Sequence, residues 1–208
     1  MIEFLTNKLL KYISNKDVID NVNEDVVAFY KYGIEITISS ILNILIILTI
    51  SLLFNALIDG FIFLLIFIPT RQFTGGFHAD SYLKCNLTFA ISFSITLLMS
   101  RYIFHYIESW SNVLFLVIDI IFVVIFCPIE NEHKPIYDKK QYIRCKFIGV
   151  LLFAVFGIVG TFIVQSIFIY GSMILYTLNL IVVLGIIGIL KERRRKHEKA
   201  EQNSYNNC

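Results

Sequence analysis

Six apolar stretches, at residues 36–54, 56–69, 86–104, 113–127, 147–164 and 172–190, take up most of this chain and leave it few choices of fold. A hydrocarbon core of about 30 Å is crossed by roughly 20 apolar residues in a helix. Backbone N–H and C=O groups find no water there, so a stretch of this kind closes its hydrogen bonds within itself, as a helix. Composition agrees: the chain is 57% hydrophobic and 16% charged, where a soluble domain runs at about 45–50% and 25%. The expected fold class is all-α: a polytopic membrane protein of about six transmembrane or re-entrant helices. The stretches at 56–69 and 113–127 are short and closed by Pro69 and Pro128. Four full spans with those two re-entrant is therefore an open alternative. Asn55, Asp59 and Gly60 mark the turn between the first two stretches, and residues 165–171 the turn between the last two.

Charge gives the orientation, because short cytoplasmic segments collect Lys and Arg. Lys8, Lys11, Lys16 and Lys31 precede the first span. Arg71 and Lys84 lie between the second and third, Lys134, Lys139, Lys140, Arg144 and Lys146 between the fourth and fifth, and Lys191, Arg193, Arg194, Arg195, Lys196 and Lys199 after the last. Of the 18 Lys and Arg, Arg101 alone falls on the other side. Both termini and the 70–86 loop are thus expected on the cytoplasmic face of a cell membrane. The four-span alternative keeps the same sidedness.

The whole chain, 1–208, reads as one membrane-embedded domain: an N-terminal amphipathic segment at 1–33, membrane helices over 34–190 and a basic cytoplasmic tail at 191–208. In the first segment Ile2, Leu5, Leu9 and Tyr12, then Ile19, Val22, Val26 and Phe29, recur at three and four. That stripe suits the headgroup layer, or packing on the other spans. Glu3, Lys8, Lys11 and Lys16 interrupt any signal-peptide apolar region.

Several polar residues have plainer readings than chemistry. Cys127 at a membrane boundary is a small packing residue. Cys145 sits among Lys139, Lys140, Arg144 and Lys146, with His133 upstream, but in a hydrophilic loop without a Gly-rich turn to shape a pocket. Glu130, Glu132 and His133 adjoin Lys134 and read as solvated loop charge rather than a metal site. His105 and Glu108 beside Trp110 read as interfacial anchoring. Asp119 is an acid inside a span, either a functional group or one end of a hydrogen bond to a neighbouring helix, for instance near Asn179.

The polar island from Arg71 to Cys85, RQFTGGFHADSYLKC, is another matter. It puts a thiol, an imidazole and two adjacent glycines at the edge of the apolar core. His78 and Cys85 are seven apart, which on one continuous helix separates their α-carbons by about 10.5 Å along the axis. A nucleophile and its base need to come within about 2.6–3.2 Å. Gly75 and Gly76 permit a break, and Asp80 or Ser81 can cap the next helix. Cys85 is then expected in or near that helix's first turn, where the helix dipole favours a thiolate, with His78 on the approach loop. His78 folds back as the base, or reaches Cys85 of a partner protomer in a homodimer. Two soft ligands are too few for Zn²⁺, so no metal is expected. Cys85 and Cys145 fall on the reducing side, which argues against disulfides.

The run Arg71, Gly75, Gly76, His78, Ala79 and Cys85, placed after two spans in a basic protein of 208 residues, resembles the accessory gene regulator protein B (AgrB) family of quorum-sensing propeptide processors. The likeness in length, span pattern and loop charge covers essentially the whole chain, and its specificity lies in the GGxHAxxxxxC core. What it implies is a membrane cysteine endopeptidase that removes the C-terminal part of an AgrD-type precursor peptide and helps close the remainder into a thiolactone ring. The family's catalytic pair falls on His78 and Cys85, and its important Arg and Gly on Arg71 and Gly76. The resemblance calls for no cofactor and no nucleic acid, and for a lipid bilayer as surroundings. The backbone N–H groups of Gly75 and Gly76, or the side chain of Gln72, are the expected oxyanion donors, and Arg71 holds either an acidic part of the precursor or the loop itself. A small transporter or exporter using Asp119, Gln165 and Asn179 is the competing class, although no inverted repeat is evident. A noncatalytic scaffold for a sensor kinase is the third.

Overall fold

The computed structural model of the protein describes residues 24–75, 82–103, 109–129 and 138–206. Six helices follow one another: α1 Glu24–Leu53, α2 Leu57–Thr74, α3 Tyr82–Leu98, α4 Ser109–Phe126, α5 Lys139–Ser166 and α6 Phe168–Asn206. A π-helical turn, Met99–Ile103, prolongs α3. There is no strand among the described residues, only an isolated bridge between Gly75 and Ile129. Five helices are long and apolar enough to cross a membrane, and α4 adds the shorter apolar stretch Val113–Phe126. The protein is thus the all-α, multi-pass membrane protein its sequence calls for.

Helix ends differ from the apolar boundaries in instructive ways. Pro69 does not end the second helix, which runs on through Arg71 to Thr74. Proline removes one backbone donor, and a membrane helix tolerates that loss when its neighbours are packed. The 165–171 turn contracts to Ile167, with α5 and α6 helical on either side. Gly171 permits this, since a Cβ there would collide with the backbone of Val164. Asp59 and Gly60 lie within α2 and are buried, and the turn itself is Phe54–Asn55, with Asn55 at φ 50°. A side chain on Gly60 would run into the Ser51 hydroxyl, so the missing Cβ lets α1 and α2 approach closely.

Helix also extends into charged sequence on both sides of the apolar runs. Glu24 to Leu53 is one helix, so residues 24–33 continue into the first span, while residues 1–23 lie outside the described residues. α5 starts at Lys139 under an Asp138 cap, whose carboxylate accepts from the Lys140 N–H at 3.0 Å. That start places Cys145 on a helix rather than in a loop. α6 carries the basic tail as helix to Asn206, and its 39 residues make it about 58 Å long.

Hydroxyls inside these helices satisfy themselves locally. Thr49, Ser51, Thr74, Thr96 and Thr177 each donate to the carbonyl four residues back, at 2.7–2.9 Å. In a medium without water this back-bonding removes most of the cost of a Ser or Thr.

Contacts at the two ends of the bundle fix the direction of every helix. At one end Thr74 meets Ile129 and Gly149, Ser39 meets Asn86, and Gly185 meets Ile129. At the other, Arg101 forms an ion pair with Asp59, and the Ser172 hydroxyl donates to the Ser100 carbonyl at 3.3 Å. α4 ends beside the end of α2, where the Ile129 N–H meets the Thr74 carbonyl, and it packs along α5 and α6. The most buried span is α6, against which α5, α2 and α4 pack, and the least buried is α1.

Candidate functional site

Apolar α2 and α3 are held together by phenylalanines. Phe63 and Phe93 meet at 5.1 Å between ring centroids, Phe67 and Phe89 edge-on at 5.0 Å, and Phe63 and Phe67 stack along α2 at 5.0 Å. Pairs of this kind contribute beyond their buried area, and Phe63 and Phe93 are both 0% exposed. These contacts set an antiparallel register in which each step of four toward the 75–81 connection on α2 is matched by a step of four on α3. The next step after Phe67 and Phe89 sets Arg71 opposite Cys85. The two interact electrostatically across the helix pair. The Arg71 guanidinium also lies over the Phe67 ring, 5.4 Å from its centroid, a cation–π contact that holds a charge at an apolar surface. Cys85 is a free thiol, half-buried, in the first turn of α3 as described.

Gly75 closes α2. Its φ of 74° and ψ of −154° belong to a region open essentially to glycine alone, and its N–H donates to the Arg71 carbonyl at 3.0 Å. The Thr74 carbonyl accepts from the Ile129 N–H at 2.9 Å, and a Cβ on Gly75 would strike the Ile129 carbonyl. The segment after α4 is thus pressed against the start of the connection between α2 and α3. The Gly75 N–H, one of the expected oxyanion donors, is thus engaged with the Arg71 carbonyl in this structure.

Of the residues singled out in the sequence, the structure brings Arg71, Gln72, Gly75 and Cys85 to one end of the bundle. Gln72 is exposed beside Arg71 on the last turn of α2. Gly76, His78, Asp80 and Ser81 lie outside the described residues, as do His105, Glu108, Glu130, Glu132, His133 and Lys134. Cys127 is 2% exposed within the apolar core, as a packing residue would be. Cys145 lies on α5, one turn before Gly149, which packs against Thr74 at the end of α2. Asp119 is 4% exposed, and its Oδ2 has no hydrogen-bond partner among the described residues. The anticipated bond to Asn179 is not made, for the Asn179 amide donates to the Leu175 carbonyl of its own helix.

Two polar contacts escaped the sequence reading. The Ser39 hydroxyl of α1 donates to the Asn86 side-chain carbonyl at 2.9 Å, next to Cys85. Its signal was present: Ser39, Asn43 and Ser51 recur at multiples of four along the first span. At the opposite end Arg101 pairs with Asp59, which is fully buried. The one cation on the sparse side is matched by an acid of the neighbouring helix.

A multi-pass helical bundle with a free thiol set against a guanidinium at one end defines a membrane protein with a polar, thiol-bearing site at its edge. The accessory gene regulator B family matches residues 6–190, and the chain belongs to that family, a component of the agr quorum-sensing system that is linked to AgrD-type precursors. Two Clostridium perfringens proteins named AgrB-like are similar to it. The one from strain SM101 is 25% identical over 191 residues, 89% of this chain and 88% of the relative. The other, from strain 13, is 26% identical over 151 residues, 70% and 69% of the respective chains. No solved structure matches.

Proposed function

We propose that this protein is a membrane cysteine endopeptidase, working at the cytoplasmic face, that cleaves an AgrD-type precursor and promotes closure of its remainder into a thiolactone. The observation that carries the reading is the α2–α3 register, which sets the Arg71 cation opposite the Cys85 thiol in a chain of this family. Burial disfavours the thiolate, the form that acts as nucleophile, and a cation beside the sulfur offsets part of that cost. Arg71 thereby acquires a role apart from holding the precursor or the loop: electrostatic partner of the nucleophile.

In the proposed reaction His78 takes the Cys85 proton and the sulfur attacks the scissile carbonyl. Collapse of the tetrahedral adduct breaks the C–N bond, the proton passes from His78 to the leaving amine, and an acyl-enzyme thioester remains. A thiol of the acyl fragment then gives its proton to His78, neutral again, as its sulfur attacks that thioester carbonyl. A new thioester forms within the peptide, Cys85 leaves as thiolate, and the ring closes without another energy source. Gln72 and the N–H of Gly76 are the proposed oxyanion donors, each worth about 3 kcal/mol by analogy with other acyl-transfer sites.

Co-expression with a candidate precursor tests this. Wild type is expected to shorten the precursor, and Cys85→Ser and His78→Ala to leave it intact. If both variants still cut, the endopeptidase reading is wrong. A thiol-reactive probe that inhibits cleavage through Cys145 rather than Cys85 would move the nucleophile to α5.

A further inference from the structure

The Arg71–Cys85 juxtaposition depends on how α3 is rotated about its own axis, and one residue of helix is 100° of rotation. Phe89 and Phe93 fix that rotation from the second turn inward. At the first turn a tie comes from the other side. Asn86 follows Cys85, so when the thiol faces α2 the amide faces roughly 100° away, toward α1, where Ser39 donates to it at 2.9 Å. Ser39 is 6% exposed and begins the row Ser39, Asn43, Ile47, Ser51, spaced by four along α1, in which Ile47 and Ser51 are both 0% exposed. That row is the face α1 turns inward. Between membrane helices, where apolar surfaces have no preference for each other over lipid, a polar bond of this kind sets register and rotation. α1 packs chiefly on α2 and α3 and is the least buried span, yet it spends a buried hydroxyl on the residue beside Cys85.

We infer that Ser39 and Asn86 form a positioning bond for the reactive thiol: α1 holds the first turn of α3 at the rotation that keeps Cys85 on the Arg71 side. Neither residue touches the reacting atoms, and neither belongs to the Arg71 to Cys85 island. The inference builds on the proposed role of Cys85, but its test does not require peptidase activity.

The test is alkylation of the full-length protein in membranes with iodoacetate, which is anionic, and iodoacetamide, its neutral analogue of similar size. Peptide-resolved mass spectrometry reads Cys85, with Cys145 as the internal reference. A thiol beside a guanidinium favours the anionic reagent, so the iodoacetate-to-iodoacetamide rate ratio at Cys85 reports its distance from Arg71 independently of access. Ser39→Ala is expected to lower that ratio about threefold or more, the scale of one lost hydrogen bond, with the ratio at Cys145 unmoved. Ser39→Thr, which keeps the hydroxyl, should retain the wild-type ratio. Asn86→Ala should fall as Ser39→Ala does, and the double variant no further. Should Ser39→Ala fail to accumulate, Asn86→Ala against Asn86→Gln carries the same comparison. Two rates that change together at constant ratio would mean only altered access and would overturn the inference, as would a Ser39→Thr ratio as low as that of Ser39→Ala. A lowered ratio in a protein whose wild type cuts no precursor would sink the peptidase reading and leave the positioning bond standing.

Discussion

Gly75 is where backbone conformation and tertiary packing make the same demand. Its φ of 74° with ψ of −154° excludes ordinary L residues, and a Cβ in that place would strike the Ile129 carbonyl. Gly75→Ala is therefore expected to lose about 1–3 kcal/mol of stability from strain at this backbone position, read as a fall in the thermal unfolding midpoint in detergent, together with a loss of cleavage. Gly75→Asn should be no better, because a residue that tolerates the left-handed helical region gains nothing at this ψ and still carries the Cβ. A stability within a few tenths of a kcal/mol of wild type in either variant would show that the Ile129 segment yields freely. At this scale the site was partly legible. Arg71, Gly75 and Cys85 stood out because polar and glycine residues are conspicuous against an apolar background. Ile129 did not, because its contribution is a backbone N–H and C=O, and those groups have no signature in sequence.

Among the elements, the ion pair between Asp59 of α2 and Arg101 of the π-helical turn explains an exception to the charge pattern. Arg101 departs from the positive-inside distribution, and its guanidinium is neutralised by a carboxylate that is 0% exposed. Removing one partner strands the other. Asp59→Leu or Arg101→Leu alone is expected to cost about 3 kcal/mol, the lower end of the range for a broken buried pair, since the Arg101 side chain remains 25% exposed. The double variant should recover most of that loss, because apolar groups of similar size replace a buried pair at little net cost. Unfolding midpoints of the three variants decide it, and additive losses would mean that the pair is not coupled. The helix boundaries around this pair were legible only in part. Hydropathy marks where side chains prefer lipid, whereas a helix ends where its backbone bonds end. Hence α2 passes through Pro69, and α5 starts at Lys139 well before its apolar residues begin.

For the whole molecule, the number of crossings is the point on which sequence and structure had most to settle. Apolar length left 113–127 open to a re-entrant reading, since α4 is the one helix whose apolar part falls short of a full span. The bundle argues for a full crossing. The chain reaches α4 from the end where Arg101 meets Asp59 and leaves it at the end where the Ile129 N–H meets the Thr74 carbonyl. Of the described helices, only α4 lies between Tyr102 and Cys145 outside α5 itself, so the sides on which these two residues emerge count its crossing by parity. Tyr102 is 69% exposed at the end of α3, and Cys145 is a half-buried thiol on the second turn of α5. A membrane-impermeant maleimide should label Tyr102→Cys in intact cells, and Cys145 only in inverted vesicles, with the site of labelling read by mass spectrometry. The direction follows from the Lys and Arg that cluster around Cys145 and are sparse near Tyr102. Labelling of both from the same face would make α4 re-entrant and would detach the Ile129 segment from the end of the bundle that carries Cys85. Labelling from opposite faces in the reverse sense would keep six crossings but place Arg71 and Cys85 outside the cell, where a precursor made in the cytoplasm could not reach them before export.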